Sequence, residues 1–332
     1  MIHEQLQRKI DDSKEVLKVA AAMSKEYYKK PLIITYSGGK DSDVILQLAI
    51  ETLDITDFEV FNSHTTVDAP ETVYYIRDKF KKLESMGIKT TIHYPHNKDG
   101  TFKSIWSMIA DKQTPPTRFA RYCCKELKET STPNRFIATG VRAAESQGRK
   151  GRDVFTAREK LKKDAKYYTL DHVKEVFNDD LTRRERERVQ SNEIGVWDCV
   201  YITKAKEQAD LMCNPIYKWT DKDVWQFIDD RGMEHNPLYD KGFCRVGCIG
   251  CPLAGYKTQR EELEMYPKYK LNYIRAFERM LERRRQAGKD DITGREGLHV
   301  WTDGEAVYRW WINDTSIQGQ MSITDYEVQD NE

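Results

Sequence analysis

Apolar positions recur at helical spacing over residues 3–28, where Leu6, Ile10, Val16, Leu17, Val19, Ala20 and Met23 mark one face. An amphipathic helix is predicted there, ended by Pro31. The run Leu32-Ile33-Ile34-Thr35-Tyr36 then reads as a short buried strand, and Val44, Ile45, Leu48 and Ala49 return to helical spacing. Between them lies Ser37-Gly38-Gly39-Lys40-Asp41-Ser42. Further strands are predicted at 58–62, 88–94 and 136–141, separated by helical stretches at 71–84 and 101–111. Such alternation predicts an α/β fold with a parallel sheet. After Asp221, the positions Val224, Trp225, Phe227 and Ile228 give a short amphipathic helix. Residues 269–285 and 301–312 add a long charged helix and an aromatic one. No internal repeat or low-complexity tract interrupts the pattern.

Composition narrows the class. The chain has 332 residues, 39% hydrophobic, with 7 Trp, 18 Tyr and 11 Phe, which excludes global disorder. Its 54 basic and 54 acidic residues leave a formal net charge of zero, so any polyanionic partner must be met by a local patch. No apolar run approaches the roughly 18 residues that cross a bilayer. The start Met-Ile-His-Glu-Gln lacks the basic-then-apolar plan of a secretory signal, so a cytoplasmic protein without a membrane partner is expected. Residues 150–195 alternate Lys and Arg with Asp and Glu. They read as a solvated helical insertion, or alternatively as a surface presented to a polyanion.

Two groups of residues carry candidate chemistry. Adjacent glycines after a strand let the backbone turn tightly and present N–H groups to an anion, with the following helix adding positive dipole. In that loop Lys40 can pair with phosphate oxygens, Ser37 and Ser42 can donate hydroxyls, and Asp41 can orient a hydroxyl or a metal ion. The seven cysteines are 123, 124, 199, 213, 244, 248 and 251. The Cys123-Cys124 pair and Cys248-x-x-Cys251 supply four thiolates from two segments, which suits a [4Fe–4S] cluster or tetrahedral zinc equally. Cys244 is a possible substitute ligand; the Cys244-x-x-x-Cys248-x-x-Cys251 spacing also occurs in radical S-adenosylmethionine enzymes, here read as coincidence. Cys199 and Cys213 are read as core residues.

The glycine loop resembles the PP-loop of the adenine nucleotide alpha hydrolases, distinct from the Walker loop. Within that superfamily the chain resembles the phosphoadenosine phosphosulfate (PAPS) reductase family over about residues 30–255. The further matching motifs run, in order, through residues 65–72 (TTVDAPET), 121–125 (RYCCK), 140–146 (GVRAAES) with Arg149, 214–225 (NPIYKWTDKDVW) and 236–243 (NPLYDKGF), leading into 247–252 (GCIGCP).

The resemblance implies a Rossmann-like PP-loop domain at 31–255 that includes the 150–195 insertion. It follows an N-terminal helix at 1–30 and precedes a helical C-terminal extension at 256–332. By the same resemblance, Ser37, Gly38, Gly39, Lys40, Asp41 and Ser42 hold nucleotide phosphates, Lys40 and Asp41 act in catalysis, and Arg142, Glu145, Ser146 and Arg149 lie on the nucleotide or its sulfate. An arginine fork suits an oxyanion; the bland reading of Arg142 is a surface salt bridge. The resemblance also favours the cluster over zinc at Cys123, Cys124, Cys248 and Cys251.

Reductases of the family carry a late Glu-Cys-Gly-x-His segment whose cysteine attacks sulfur, whereas no cysteine follows Cys251 here. The pattern is then similar to DndC-type DNA phosphorothioation proteins. The implied activity is ATP pyrophosphatase chemistry that adenylates an acceptor for sulfur incorporation, with Mg²⁺, a cysteine desulfurase or other sulfur donor, and a nucleic acid acceptor. A sulfonucleotide reductase acting on PAPS or adenylyl sulfate with another nucleophile, or a non-catalytic nucleotide- and cluster-binding subunit, are the alternatives.

Overall fold

The first apolar stripe forms the helix Ile2–Met23, which buries Leu6, Ile10, Val16, Leu17, Val19, Ala20 and Met23. A single π-turn, Ser24–Tyr28, ends it, and Lys29 adopts a left-handed conformation just before Pro31. The computed structural model describes residues 2–129, 131–145, 154–157, 211–289 and 301–313. These fall into two compact units that interleave along the chain. Met1–Asn62, Pro70–His93 and Thr132–Val246 build the first; Ser63–Ala69, Tyr94–Ser131 and Gly247–Glu332 build the second.

The first unit holds a six-stranded sheet. Its strands are β1 (Leu32–Thr35), β2 (Phe58–Ser63), β3 (Thr90–His93), β4 (Phe136–Ala138), β5 (Phe155–Ala157) and β6 (Leu211–Cys213). They lie in the order β3-β2-β1-β4-β6-β5. β1 pairs in parallel with β2 and β4, and β4 in parallel with β6, so the expected parallel α/β sheet is present. Leu32, Ile33 and Ile34 are all buried, the mark of a strand covered on both faces. The strand order reverses between β1 and β4, and in open α/β sheets that switch point is where the strand ends leave a crevice for a ligand.

Three local expectations change. The strand predicted at 88–94 is confined to Thr90–His93. The helix predicted at 101–111 starts only at Ile105, because Ser104 caps it: its hydroxyl accepts from the Ser107 N–H while Ser107 returns the bond. Within the charged stretch at 150–195, Phe155–Ala157 is not helical but an antiparallel edge strand on β6. Phe136 packs against Phe155 at 5.9 Å, so one aromatic residue among charges is enough to anchor it. The rest of that stretch lies outside the described residues.

The second unit is helical, with Ile105–Lys112, Tyr256–Met265, Pro267–Gln286 and Gly304–Trp311. Its core is aromatic. Trp311 stacks on Tyr273 at 4.5 Å and meets Phe277 edge-on at 5.4 Å, and its indole N–H donates to the Pro116 carbonyl at 2.6 Å. No described helix is long and apolar enough to cross a membrane. Trp311→Ala removes a large buried ring and orphans the Pro116 carbonyl. It should cost about 3–5 kcal/mol, read as a lowered midpoint in urea unfolding monitored by circular dichroism.

Candidate functional site

The glycine loop leaves the end of β1 and turns into the helix Lys40–Ile50. Gly38 sits at φ +72, and a Cβ there would come within 2.9 Å of Ile76, so both backbone shape and space demand glycine. The loop is pinned from below and from the side. The buried Asn236 amide donates to the Gly38 carbonyl at 2.9 Å and to Thr72 Oγ1 at 3.1 Å. Ser42 Oγ donates to the Gly39 carbonyl at 2.7 Å and lies 3.3 Å from Ser37 Oγ. The Lys40 N–H, one of the donors at the helix start, donates to the Tyr239 hydroxyl at 2.9 Å.

A second segment arrives from the neighbouring strand. Gly140-Val141-Arg142 follows β4, which pairs with β1, so strand pairing brings the two motifs together at the switch point. A Cβ on Gly140 would lie 3.1 Å from Asp41 Cβ. Arg142 is buried, and its guanidinium bridges Asp41 at 2.7 Å and Asp221 at 2.6 Å. Lys40 Nζ stands 3.3 Å from Asp221 and 3.6 Å from Asp41. Burial lifts the Asp41 carboxyl above its usual range despite Lys40 and Arg142. At Asp221 burial pulls the same way, but Lys40 and Arg142 outweigh it and hold the carboxyl low. Glu145 accepts from the Arg142 N–H at 3.0 Å and is otherwise exposed. Arg142 is therefore a buried bridge between two carboxylates. Ser146 and Arg149 lie outside the described residues.

Asp221, Asn236 and Tyr239 are site residues the sequence reading did not single out. Thr220 in the Trp219-Thr220-Asp221 string was the available signal: it caps the helix Asp221–Asp230 and so aims Asp221 at the loop.

The four paired cysteines all belong to the second unit, and each is half-buried. Cys123 and Cys124 sit on one helical turn, Tyr122–Cys124. Cys248 and Cys251 lie on a loop held by an isolated bridge between Asp68 and Cys248 and by the Ile249 N–H donating to the Val67 carbonyl at 2.8 Å. The Cys248 thiol reaches Thr65 Oγ1 at 3.5 Å. A hydrogen bond from the Cys123 thiol, with Arg121 adding to it, pulls the Cys124 thiol down to about 5; Cys123 is raised in return. Burial pushes Cys248 up to about 11. Cys248 above all, with Asp68, Cys124 and Cys251, raises the Lys128 ammonium.

The four thiols thus feel one another, yet among the described residues no three His, Cys, Asp or Glu side chains are gathered to hold a metal ion as they stand. The donor set fits a thiolate-bound centre with cations beside it. Lys128 and Arg121, which offset the charge of several thiolates, were missed because a lone Lys or Arg carries no spacing signal. Cys213 is fully buried in β6, as a core residue should be; Cys244 is exposed, and Cys199 lies outside the described residues.

The glycine loop stands at the switch point of a parallel sheet, the usual place for a ligand in an α/β fold, and four half-buried thiols lie on the same chain. The chain belongs to the family described as the phosphoadenosine phosphosulfate reductase domain, which matches residues 31–254. It is 24% identical over 276 residues to an uncharacterized protein of Methanocaldococcus jannaschii, covering 80% of this chain and 54% of that protein. The chain therefore spans about half the length of that relative. A 59-residue stretch is 32% identical to adenosine 5'-phosphosulfate reductase of Anoxybacillus flavithermus, covering 18% of this chain and 25% of the reductase. Among solved structures, the PAPS reductase of Candida auris in complex with phosphate aligns with a TM-score of 0.41 at 15% identity, covering 71% of this chain and 87% of that one.

Beneath the loop, Asp43 gives a pH signature. Tyr36 donates to its Oδ1 at 2.6 Å, the Tyr75 hydroxyl lies at 3.1 Å, and Oδ2 is buried without a partner. Burial pushes this carboxyl up to about 6. The fold thus prefers the protonated acid, whereas the unfolded chain ionises near its ordinary value of about 3.9. The stability this preference contributes is present below that value and is lost as pH rises through about 6. Asp43→Asn cannot ionise. The unfolding free energy of the variant relative to wild type should therefore shift in the variant's favour by about 2 kcal/mol between pH ~4 and ~6.5 in urea titrations. A flat difference would show that Asp43 stays ionised.

Proposed function

We propose that the chain is a PP-loop ATP pyrophosphatase that adenylates an acceptor so that sulfur can replace oxygen, the acceptor being DNA in phosphorothioate modification. The observation that carries the reading is the juxtaposition of Lys40 and the Arg142 bridge at the glycine loop, on a chain that also carries the half-buried thiols Cys123, Cys124, Cys248 and Cys251.

ATP phosphates lie along Ser37 to Ser42, with Mg²⁺ accompanying them. An acceptor oxygen bonds to the α-phosphorus as the bond to the pyrophosphate oxygen breaks. Lys40 and the helix-start amides stabilise the negative charge that builds on departing pyrophosphate. Sulfide, or the terminal sulfur of a donor persulfide, then bonds to phosphorus and AMP leaves with the oxygen; where the donor is a persulfide, a second thiol cleaves the remaining S–S bond by forming a disulfide with the donor cysteine. Cys123, Cys124, Cys248 and Cys251 would hold a [4Fe–4S] cluster. When bound, such a cluster supplies sulfur-handling or electron-transfer chemistry. Four thiolates would also suit tetrahedral zinc; the resemblance to cluster-binding members of the family favours the multi-iron centre. Lys128 and Arg121 balance the thiolate charge.

Two variants separate the roles. Lys40→Ala should lower release of pyrophosphate and AMP from labelled ATP by about 10²–10³-fold while iron and sulfide content stay at wild-type level. Cys248→Ser, purified anaerobically, should lose iron and sulfide and the visible absorption of the cluster. Stoichiometric zinc without iron in the wild-type protein would end the cluster assignment. The family match to PAPS reductase domains favours one second reading, a sulfonucleotide reductase. Sulfite released from adenylyl sulfate or PAPS with thioredoxin, and no pyrophosphate from ATP, would establish it instead.

A further inference from the structure

The most solvent-exposed large apolar side chain described is Phe119, at 81%. A single exposed apolar residue is ordinary; this one is held in water by its loop. Pro115 and Pro116 are buried. The Pro116 carbonyl is fixed by the Trp311 indole at 2.6 Å, the Gln113 carbonyl by Arg284 at 3.1 Å and the Thr114 carbonyl by the Tyr122 hydroxyl at 2.8 Å. At the tip, Thr117 Oγ1 accepts the Ala120 N–H at 2.9 Å, and the Arg121 N–H returns to the Phe119 carbonyl at 3.1 Å. A loose loop would let the ring fold back against the protein; this loop is tied on both sides of it.

The charge around the ring has one sign. Residues 114–128 contain Arg118, Arg121, Lys125 and Lys128 against a single acid, Glu126. Arg118 and Lys125 are exposed, whereas Arg121 and Lys128 are engaged with the cysteine thiols. Glu126 is already neutralised by Lys103 at 3.0 Å and by Lys112, so it does not offset them. Among the described residues, no carboxylate pairs with Arg118 or Lys125. The segment runs directly into Cys123 and Cys124.

We infer that the 114–128 loop is a docking site for an unpaired polynucleotide strand, with one base stacked on Phe119 and the flanking phosphates on Arg118 and Lys125. The pairing of a fixed aromatic face with surrounding cations is what single-strand binders use: every base has a π-face, and the phosphates supply the charge. A duplex keeps its base faces covered, and an acidic peptide needs the cations but not the ring. The inference rests on the proposal that the chain acts on nucleic acid, and it deepens that proposal by saying where the strand lies relative to the thiols. The strand then lies four residues along the chain from Cys123.

The test uses the full chain and a fluorescein-labelled mixed-sequence single strand, followed by anisotropy over a salt series. RNA of the same sequence, the DNA duplex and phosphatidylserine vesicles serve as separate arms. Phe119→Ala should weaken single-strand binding about 5- to 150-fold, the equivalent of ~1–3 kcal/mol per stacked base, and Phe119→Trp should restore it. Arg118→Ala should reduce the slope of log affinity against log salt by about 0.7. The DNA and RNA arms decide which strand is preferred, and either supports the site. Three outcomes overturn it: equal binding by wild type and Phe119→Ala, no single-strand binding at all, or binding confined to duplex or vesicles. Binding of labelled ATP is measured in parallel and should be unchanged in Phe119→Ala. Loss of ATP turnover in wild type with strand binding intact would sink the adenylation reading alone; the reverse result would sink only this site.

Discussion

The geometry of the glycine loop depends on one buried guanidinium. Arg142 can be taken out of water only because Asp41 and Asp221 meet it at 2.7 and 2.6 Å, since an unpaired charge in that position would cost several kcal/mol. Removing one partner of such a pair costs about 3–5 kcal/mol. The constraint ties three distant stretches of chain: the glycine loop after β1, the turn after β4, and the cap of the helix Asp221–Asp230. It also explains Gly140, whose missing Cβ leaves room for Asp41 to approach the bridge. Around Lys40 and Arg142 the formal charges cancel, two cations against Asp41 and Asp221. Asp221, with its side chain 71% exposed, is the open end of this bridge, whereas Asp41 is only 20% exposed.

The thiol group obeys a different rule. Four thiolates cannot coexist in a half-buried place without cations or a metal centre, and the shifts divide accordingly: Cys124 is drawn down while Cys123 and Cys248 are raised. Arg121 and Lys128 lie on either side of the Cys123-Cys124 pair in sequence, so one short segment supplies both the thiols and the charge that balances them. The stretch Thr65-Thr66-Val67-Asp68 adds a hydroxyl and a backbone bridge to Cys248. Four residues further, Thr72 serves the glycine loop through Asn236. One motif therefore supports both chemical groups, each within its own unit.

Much of this was legible in the sequence, and the limits were physical. Strands β1 and β2 announce themselves through Ile33, Ile34 and Val60 because apolar runs bounded by turn residues have few other uses. β6 is three residues long, shorter than the window in which a period of two can be told from noise, and it is a strand because β4 and β5 pair with it on either side. The glycine loop was readable because Gly38 has a conformation that side chains avoid. Asp221 sat inside the matched 214–225 motif behind the Thr220 cap, but its role was not legible there, since it comes from facing Arg142 across the fold. The same holds for Asn236 and Tyr239, which reach Gly38 and Lys40 across about two hundred residues.

Overall neutrality was the least informative number the sequence offered. With salt screening charges beyond roughly 8–10 Å, a partner senses the few groups nearest to it and not the sum over the chain. Glu126 shows how the balance is spent: it is consumed by Lys103 and Lys112, two cations from another segment, and that leaves the basic residues on its own segment without an acid to answer them. Equal totals of 54 and 54 are compatible with a strongly cationic surface wherever the acids are paired elsewhere. The residues beside Cys123 and Cys124 are such a place.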